Sequence, residues 1–190
     1  MTAPIFQFFT NPAVAKGIVL ATLLATINPT SAEQLPKGTQ PMTGVELYML
    51  YRDRTWIWED GAGRSEAQGR RFSAWAGSGN SATWAEGRWI VTDDGQLCLK
   101  ADWHTSTGTY PDKTCFSHRH DRGTVYQKKE PSGAWYVFKH AVPAEGDEFN
   151  KLIPENQVSE KLDETRAALL NQAGSTGMVF VNTEIGRTTK

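Results

Sequence analysis

His104, His118 and His120 lie in or beside the stretch bounded by the chain's two cysteines. His118-Arg119-His120 places two imidazoles on one face of a candidate strand. Two histidines at i and i+2 can both reach a zinc ion, and a third ligand would complete a catalytic-type site. That is the chemistry of a small metal-dependent hydrolase built on His118 and His120. His104 is a poor third ligand, because along the strands it falls on the opposite parity. The plainer alternative is a strand-end pair that hydrogen-bonds locally or faces water. His140 ends another candidate strand and reads as structural.

Seven tryptophans are an unusual count for 190 residues. Aromatic rings bury large areas and dominate small cores, so most are expected inside. Trp56 and Trp58 share one strand face. Trp75 and Trp84 flank the turn Gly77-Ser78-Gly79-Asn80 and are expected at a rim. Indoles beside Arg70, Arg71 and Arg88 would suit a sugar ring or another small ligand. The same counts fit a calycin-like barrel with an internal cavity. Arg64, Arg70, Arg71 and Arg88 could instead form a patch for an acidic polymer, or simply a solvated strand face. There is no G-x-S-x-G nucleophile elbow and no H-E-x-x-H motif. Gly61-Ala62-Gly63 lacks the third glycine of a dinucleotide loop.

Twenty basic residues oppose twenty-one acidic ones. Such a balance creates no field favouring nucleic acid or an anionic membrane. Residues Gly17–Ile27 form a short uncharged core after Lys16, and Thr30-Ser31-Ala32 supply small residues before a cut site. This pattern predicts a secretory signal over residues 1–32, cleaved after Ala32. The run is too short for a bilayer span, which needs about 20 apolar residues. No stable membrane span is expected after cleavage. In an oxidising compartment Cys98 and Cys115 are expected to form a disulfide. Free buried thiols or half of a metal site are the alternatives.

The elements that must carry these groups are mainly β. Between Arg54 and His140, short runs rich in Trp, Val, Ile, Thr, Phe and Tyr alternate with turn residues. Strands are predicted at Thr55–Glu59, Arg70–Ala76, Ala82–Glu86, Arg88–Thr92, Gln96–Trp103, Thr114–His120, Thr124–Lys129 and Ala134–His140. Turn signals include Asp60-Gly61, Asp94-Gly95 and Arg122-Gly123. An antiparallel meander results, closing into a small calycin-like barrel or a sandwich. Alternation sets Leu97, Leu99, Ala101 and Trp103 on one face and Cys98 on the other. If Cys98 faces Cys115, Leu97 falls opposite Phe116 and the apolar faces agree. The disulfide would then clasp the more polar, outer face. Thr43 and Glu46 form a capping box for a short helix from about Gly44 to Tyr51. Ser159–Gln172 reads as a C-terminal helix stopped by Gly174. The organisation is a single β-rich domain over residues 33–173 and a tail over 174–190. In that tail the apolar run Met178–Val181 is a candidate edge strand.

Several segments resemble one family as a set: Arg54-Thr55-Trp56-Ile57-Trp58, Gly69-Arg70-Arg71-Phe72-Ser73-Ala74-Trp75, Glu86-Gly87-Arg88-Trp89, Thr114-Cys115-Phe116-Ser117-His118-Arg119 and Trp135-Tyr136-Val137-Phe138-Lys139-His140. The chain resembles a family of uncharacterised exported proteins from rhizobia-like alphaproteobacteria, catalogued as a domain of unknown function. The resemblance covers roughly residues 35–158. It implies a small periplasmic or secreted β-rich domain and assigns no catalytic residues.

The expected function is therefore a non-enzymatic envelope module in the periplasm or outside the cell. Its expected partner is a glycan or small molecule, or another envelope protein. Candidate ligand-binding residues are Trp56, Trp58, Trp75, Trp84, Arg70, Arg71 and Arg88. No cofactor is expected under this reading. The alternative is the zinc-dependent hydrolase that uses His118 and His120.

Overall fold

The computed structural model describes residues 35–178. The signal peptide with its cut after Ala32, and the tail beyond Met178 with its candidate edge strand, lie outside the described residues. Ten antiparallel strands make one sheet: β1 (Gln40–Pro41), β2 (Arg54–Trp58), β3 (Gly61–Ser65), β4 (Arg71–Ala76), β5 (Thr83–Val91), β6 (Gln96–Thr105), β7 (Gly108–Asp121), β8 (Thr124–Lys129), β9 (Tyr136–Lys139) and β10 (Leu152–Ile153). From β3 to β9 each strand pairs with its predecessor, as a meander does. The short β10 returns to the far side of β2, and β1 adds a brief pair to β7. Of barrel and sandwich, the sheet takes the barrel form: a single curled half-barrel, open between β9 and β10.

Helix α1 (Gly44–Tyr51) fills one end of the concave face. It starts where the capping box places it. The Glu46 amide donates to Thr43 Oγ1 at 3.3 Å, and the Thr43 amide donates to Glu46 Oε2 at 2.7 Å. A further orphaned amide, on Gly44, donates to Asp93 Oδ1 at 3.0 Å. Leu47 and Tyr51 are fully buried among Phe72, Trp89, Leu97, Val125 and Phe138. Each such side chain contributes about 1.5–3 kcal/mol. Helix α2 (Ser159–Met178) covers part of the convex face, where Val158 and Leu162 pack on Ala62 with Ile57, Trp75 and Trp84 alongside. Its backbone continues past Gly174, the expected stop.

Cys98 and Cys115 sit directly opposite each other on β6 and β7 and are disulfide-bonded. Leu97 then pairs with Phe116 on the concave side. The outward-facing disulfide shares its face with Ile90, the cross-strand neighbour of Cys98, which is exposed.

Three expectations are corrected. The runs Ala82–Glu86 and Arg88–Thr92 are one strand, β5, uninterrupted at Gly87. A Cβ at Gly87 would lie 2.0 Å from the Lys100 carbonyl oxygen and 2.5 Å from Ala101 Cα. The glycine is there because β5 and β6 approach too closely for a side chain, as at a barrel corner. Gly61–Ser65, read as a turn and loop, is strand β3. Its glycines face aromatic rings: a Cβ at Gly63 would meet Phe72 at 2.8 Å, and one at Gly61 would meet Trp58 Nε1 at 2.4 Å. Strand β7 begins six residues earlier than predicted, at Gly108 rather than Thr114, because the polar run Thr109–Lys113 pairs in register with Lys100–His104.

Two outcomes follow for stability. Gly87→Ala should cost at least about 2 kcal/mol in urea unfolding, since the clash is with backbone and not with a mobile side chain. Reduction of the disulfide should cost about 3 kcal/mol by the same measurement, given a sequence separation of 17 residues between the cysteines.

Candidate functional site

Side chains on the concave face alternate with those on the convex face, and the concave set is unevenly sized. Gly61, Gly63, Ala74, Ala85, Gly87 and Ala101 present almost nothing to the interior. Large rings stand across from them. The space left over is a pocket of about 360 Å³, lined by Trp56, Trp58, Phe72, Leu99, Ala101, Trp103, Asp112, Thr114, Phe116, Lys129 and Glu148. Its volume lies within the range of small-ligand sites. Trp56 and Phe116 pack with centroids 5.0 Å apart at 56°. The Trp56 indole N–H donates to Glu148 Oε1 at 2.9 Å, which aims that ring. Glu148 Oε2 in turn accepts from Lys151 Nζ at 2.7 Å. Asp112 and Lys129 are exposed at the rim.

The candidate residues named from the sequence divide between the two faces. Trp56 and Trp58 line the pocket. Trp75 and Trp84 do not: they pair across β4 and β5 on the convex face, beside α2. Trp84 stacks on His104 at 3.8 Å, and the Arg166 guanidinium sits 4.2 Å over its ring. Arg166 also donates to Glu86 Oε1 at 2.6 Å. Asp102, the cross-strand partner of Glu86, lies on this same outer face. The arginines are engaged in the frame. Arg70 lies over the rings of Tyr48 and Trp89, at 4.3 and 4.6 Å. Arg71 pairs with Glu66, Arg88 donates to the Gly69 carbonyl, and Arg64 donates to the Pro154 carbonyl. Trp103, Phe116, Lys129 and Glu148 were not singled out from the sequence. Trp103 had a signal, because it continues the parity of Leu97, Leu99 and Ala101.

His118 is buried in a polar network behind the pocket. Its Nε2 lies 2.8 Å from Tyr51 Oη and 2.7 Å from Gln127 Nε2. Both neighbours are donors, so Nε2 is the acceptor and the ring proton is assigned to Nδ1. The Gln127 amide also donates to Tyr51 Oη, and the Tyr136 hydroxyl donates to Gln127 Oε1. Burial pushes the His118 pKa down to about 4; the nearby Gly95 and Phe116 backbone favours the proton only weakly. Burial likewise raises Tyr51, and raises Tyr136 with help from the Glu148 charge. The Nε2 lone pair that a metal would need is therefore already used. Among the described residues, no group of three or more His, Cys, Asp and Glu side chains could hold a metal ion. His120 stands at the end of β7 opposite Val125, away from this network.

A buried neutral histidine makes stability depend on pH. Its folded pKa, about 4, lies below its ordinary 6.5. Unfolding therefore takes up a proton between these values. The contribution is fully present above pH 6.5, declines as pH falls, and is exhausted below pH 4. The expected slope in that window approaches about 1.4 kcal/mol per pH unit. Denaturant unfolding between pH 4 and 7 checks this, and His118→Gln should flatten the curve.

No helix among the described residues is long and apolar enough to cross a membrane. Among curated proteins and among solved structures, nothing matches the chain. A family model described as "Protein of unknown function (DUF995)" matches residues 18–158. That span is most of the chain and contains the whole meander and every pocket residue named above, and the chain belongs to this family.

Proposed function

We propose that this chain is an exported, non-enzymatic envelope module that holds a glycan or similar small ligand in the half-barrel pocket. The observation that carries the reading is the pocket itself: five aromatic rings, Trp56, Trp58, Phe72, Trp103 and Phe116, face a space of about 360 Å³ edged by Asp112, Lys129 and Glu148. Aromatic faces stack on the apolar face of a sugar ring, and a few placed polar groups fix its orientation. The outward disulfide suits an oxidising compartment. That supports export to the periplasm or beyond, as does the N-terminal signal pattern. The hydrolase alternative has no support in the geometry, since His118 is sealed and hydrogen-bonded.

Intrinsic tryptophan fluorescence tests the reading, because three indoles line the site. Titration with a panel of mono- and oligosaccharides should shift the emission for at least one member. Trp103→Ala or Trp58→Ala should weaken that binding by at least about tenfold. Trp84→Ala, on the convex face, should leave it unchanged. A folded protein whose emission no panel member alters, and in which no member shows binding by calorimetry, would overturn the proposal.

A further inference from the structure

The pocket is lined by charges of both signs, Asp112, Glu148 and Lys129, and these side chains differ in how far they are already satisfied. Within the run Lys128-Lys129-Glu130, alternation sends neighbours to opposite faces. Lys128 points outward, 3.0 Å from Glu130 and over the Trp135 ring. Lys129 points inward, lines the pocket, and makes no ion pair among the described residues. Glu148 is neutralised by Lys151 and by the Trp56 indole N–H. Among the described residues, Asp112 accepts only the Thr114 hydroxyl, at 2.9 Å. Lys129 stands opposite Phe116, and Asp112 lies four residues farther along β7. At the rise of an extended strand the two are about 13 Å apart at the backbone.

We infer that the ligand is an anionic saccharide of the uronate type, with its carboxylate at Lys129, a ring face on the tryptophans, and hydroxyls donating to Asp112 and Glu148. This rests on the ligand-binding reading above. One free ammonium matches one carboxylate. A phosphate dianion at Lys129 would leave one of its two charges without a cation among the described pocket residues. A fatty acid could satisfy Lys129 and the rings, but its methylenes would offer no hydrogen-bond donors to the remaining lone pairs of Asp112 and Glu148. A sugar supplies those donors.

The test compares galacturonate, its methyl ester and dodecanoate by calorimetry at low salt. Galacturonate should bind about tenfold tighter than the ester, as expected for one charge-assisted hydrogen bond. Lys129→Gln should erase that difference, and Lys129→Arg should keep it. Lys129 is exposed, so neither variant should disturb folding, which circular dichroism checks. Equal affinity for acid and ester would overturn the inference while leaving a sugar-binding pocket. Preference for dodecanoate would overturn it in favour of a lipid site. Binding of none of the three would overturn it too, and the saccharide panel would then decide whether the pocket binds sugars at all.

Discussion

The curl of this sheet depends on backbone meeting backbone at Gly87, where β5 and β6 come close enough that a methyl group would strike the Lys100 carbonyl. A flat meander of these strands would present its aromatic residues to water on both faces. Once curled, one face becomes an interior, and the size of the residues on it decides what is filled and what is left open. Gly61 and Gly63 act in the same sense by letting Trp58 and Phe72 lie down on strand β3. The small residues are thus as important to the pocket as the rings that line it.

The interior is divided into a sealed end and an open one. Helix α1 seals the first with Leu47 and Tyr51, and the polar atoms that enter with it are handed to His118, Gln127 and Tyr136. Burying such groups is tolerable only because nearly all of them find partners. Among the described residues, no helix covers the open end. There the strand β7 wall passes from Phe116 to Asp112, and the side chains change from apolar to charged as the rim is reached. One sheet therefore supplies a rigid support and a receptive mouth without a second domain.

Much of this was legible in residue order, and the reasons for the exceptions are physical. The expected disulfide suggested that Cys98 faces Cys115, and period-two alternation agreed with that register, since a slip by one residue would have reversed every apolar side chain. The Thr43–Glu46 capping box located the start of α1, because its two hydrogen bonds are local. Strand β3 was not legible: Gly-Ala-Gly-Arg-Ser carries no strand propensity, and its conformation is imposed by β2, β4 and two overlying rings. The division of the tryptophans was half legible. Trp56 and Trp58 could be placed on one face together, but whether a face looks inward or toward α2 is a tertiary fact. The arginines misled because a cation beside an indole can serve a ligand or the frame equally well, and Arg70 and Arg166 lie over rings of this chain itself.

The half-barrel is held together along most of its girth by ladders of backbone hydrogen bonds, but β9 and β10 do not pair. Across that seam the fastening is made by side chains on the connecting segment. Phe149 rests edge-on against Phe138, Trp56 reaches Glu148, and the buried Asp147 ties down the His140 and Ala144 amides. Contacts of this kind yield one at a time, whereas a ladder yields as a unit. The girth is therefore closed at the seam, beside the Glu148 wall, by side chains and not by a backbone ladder.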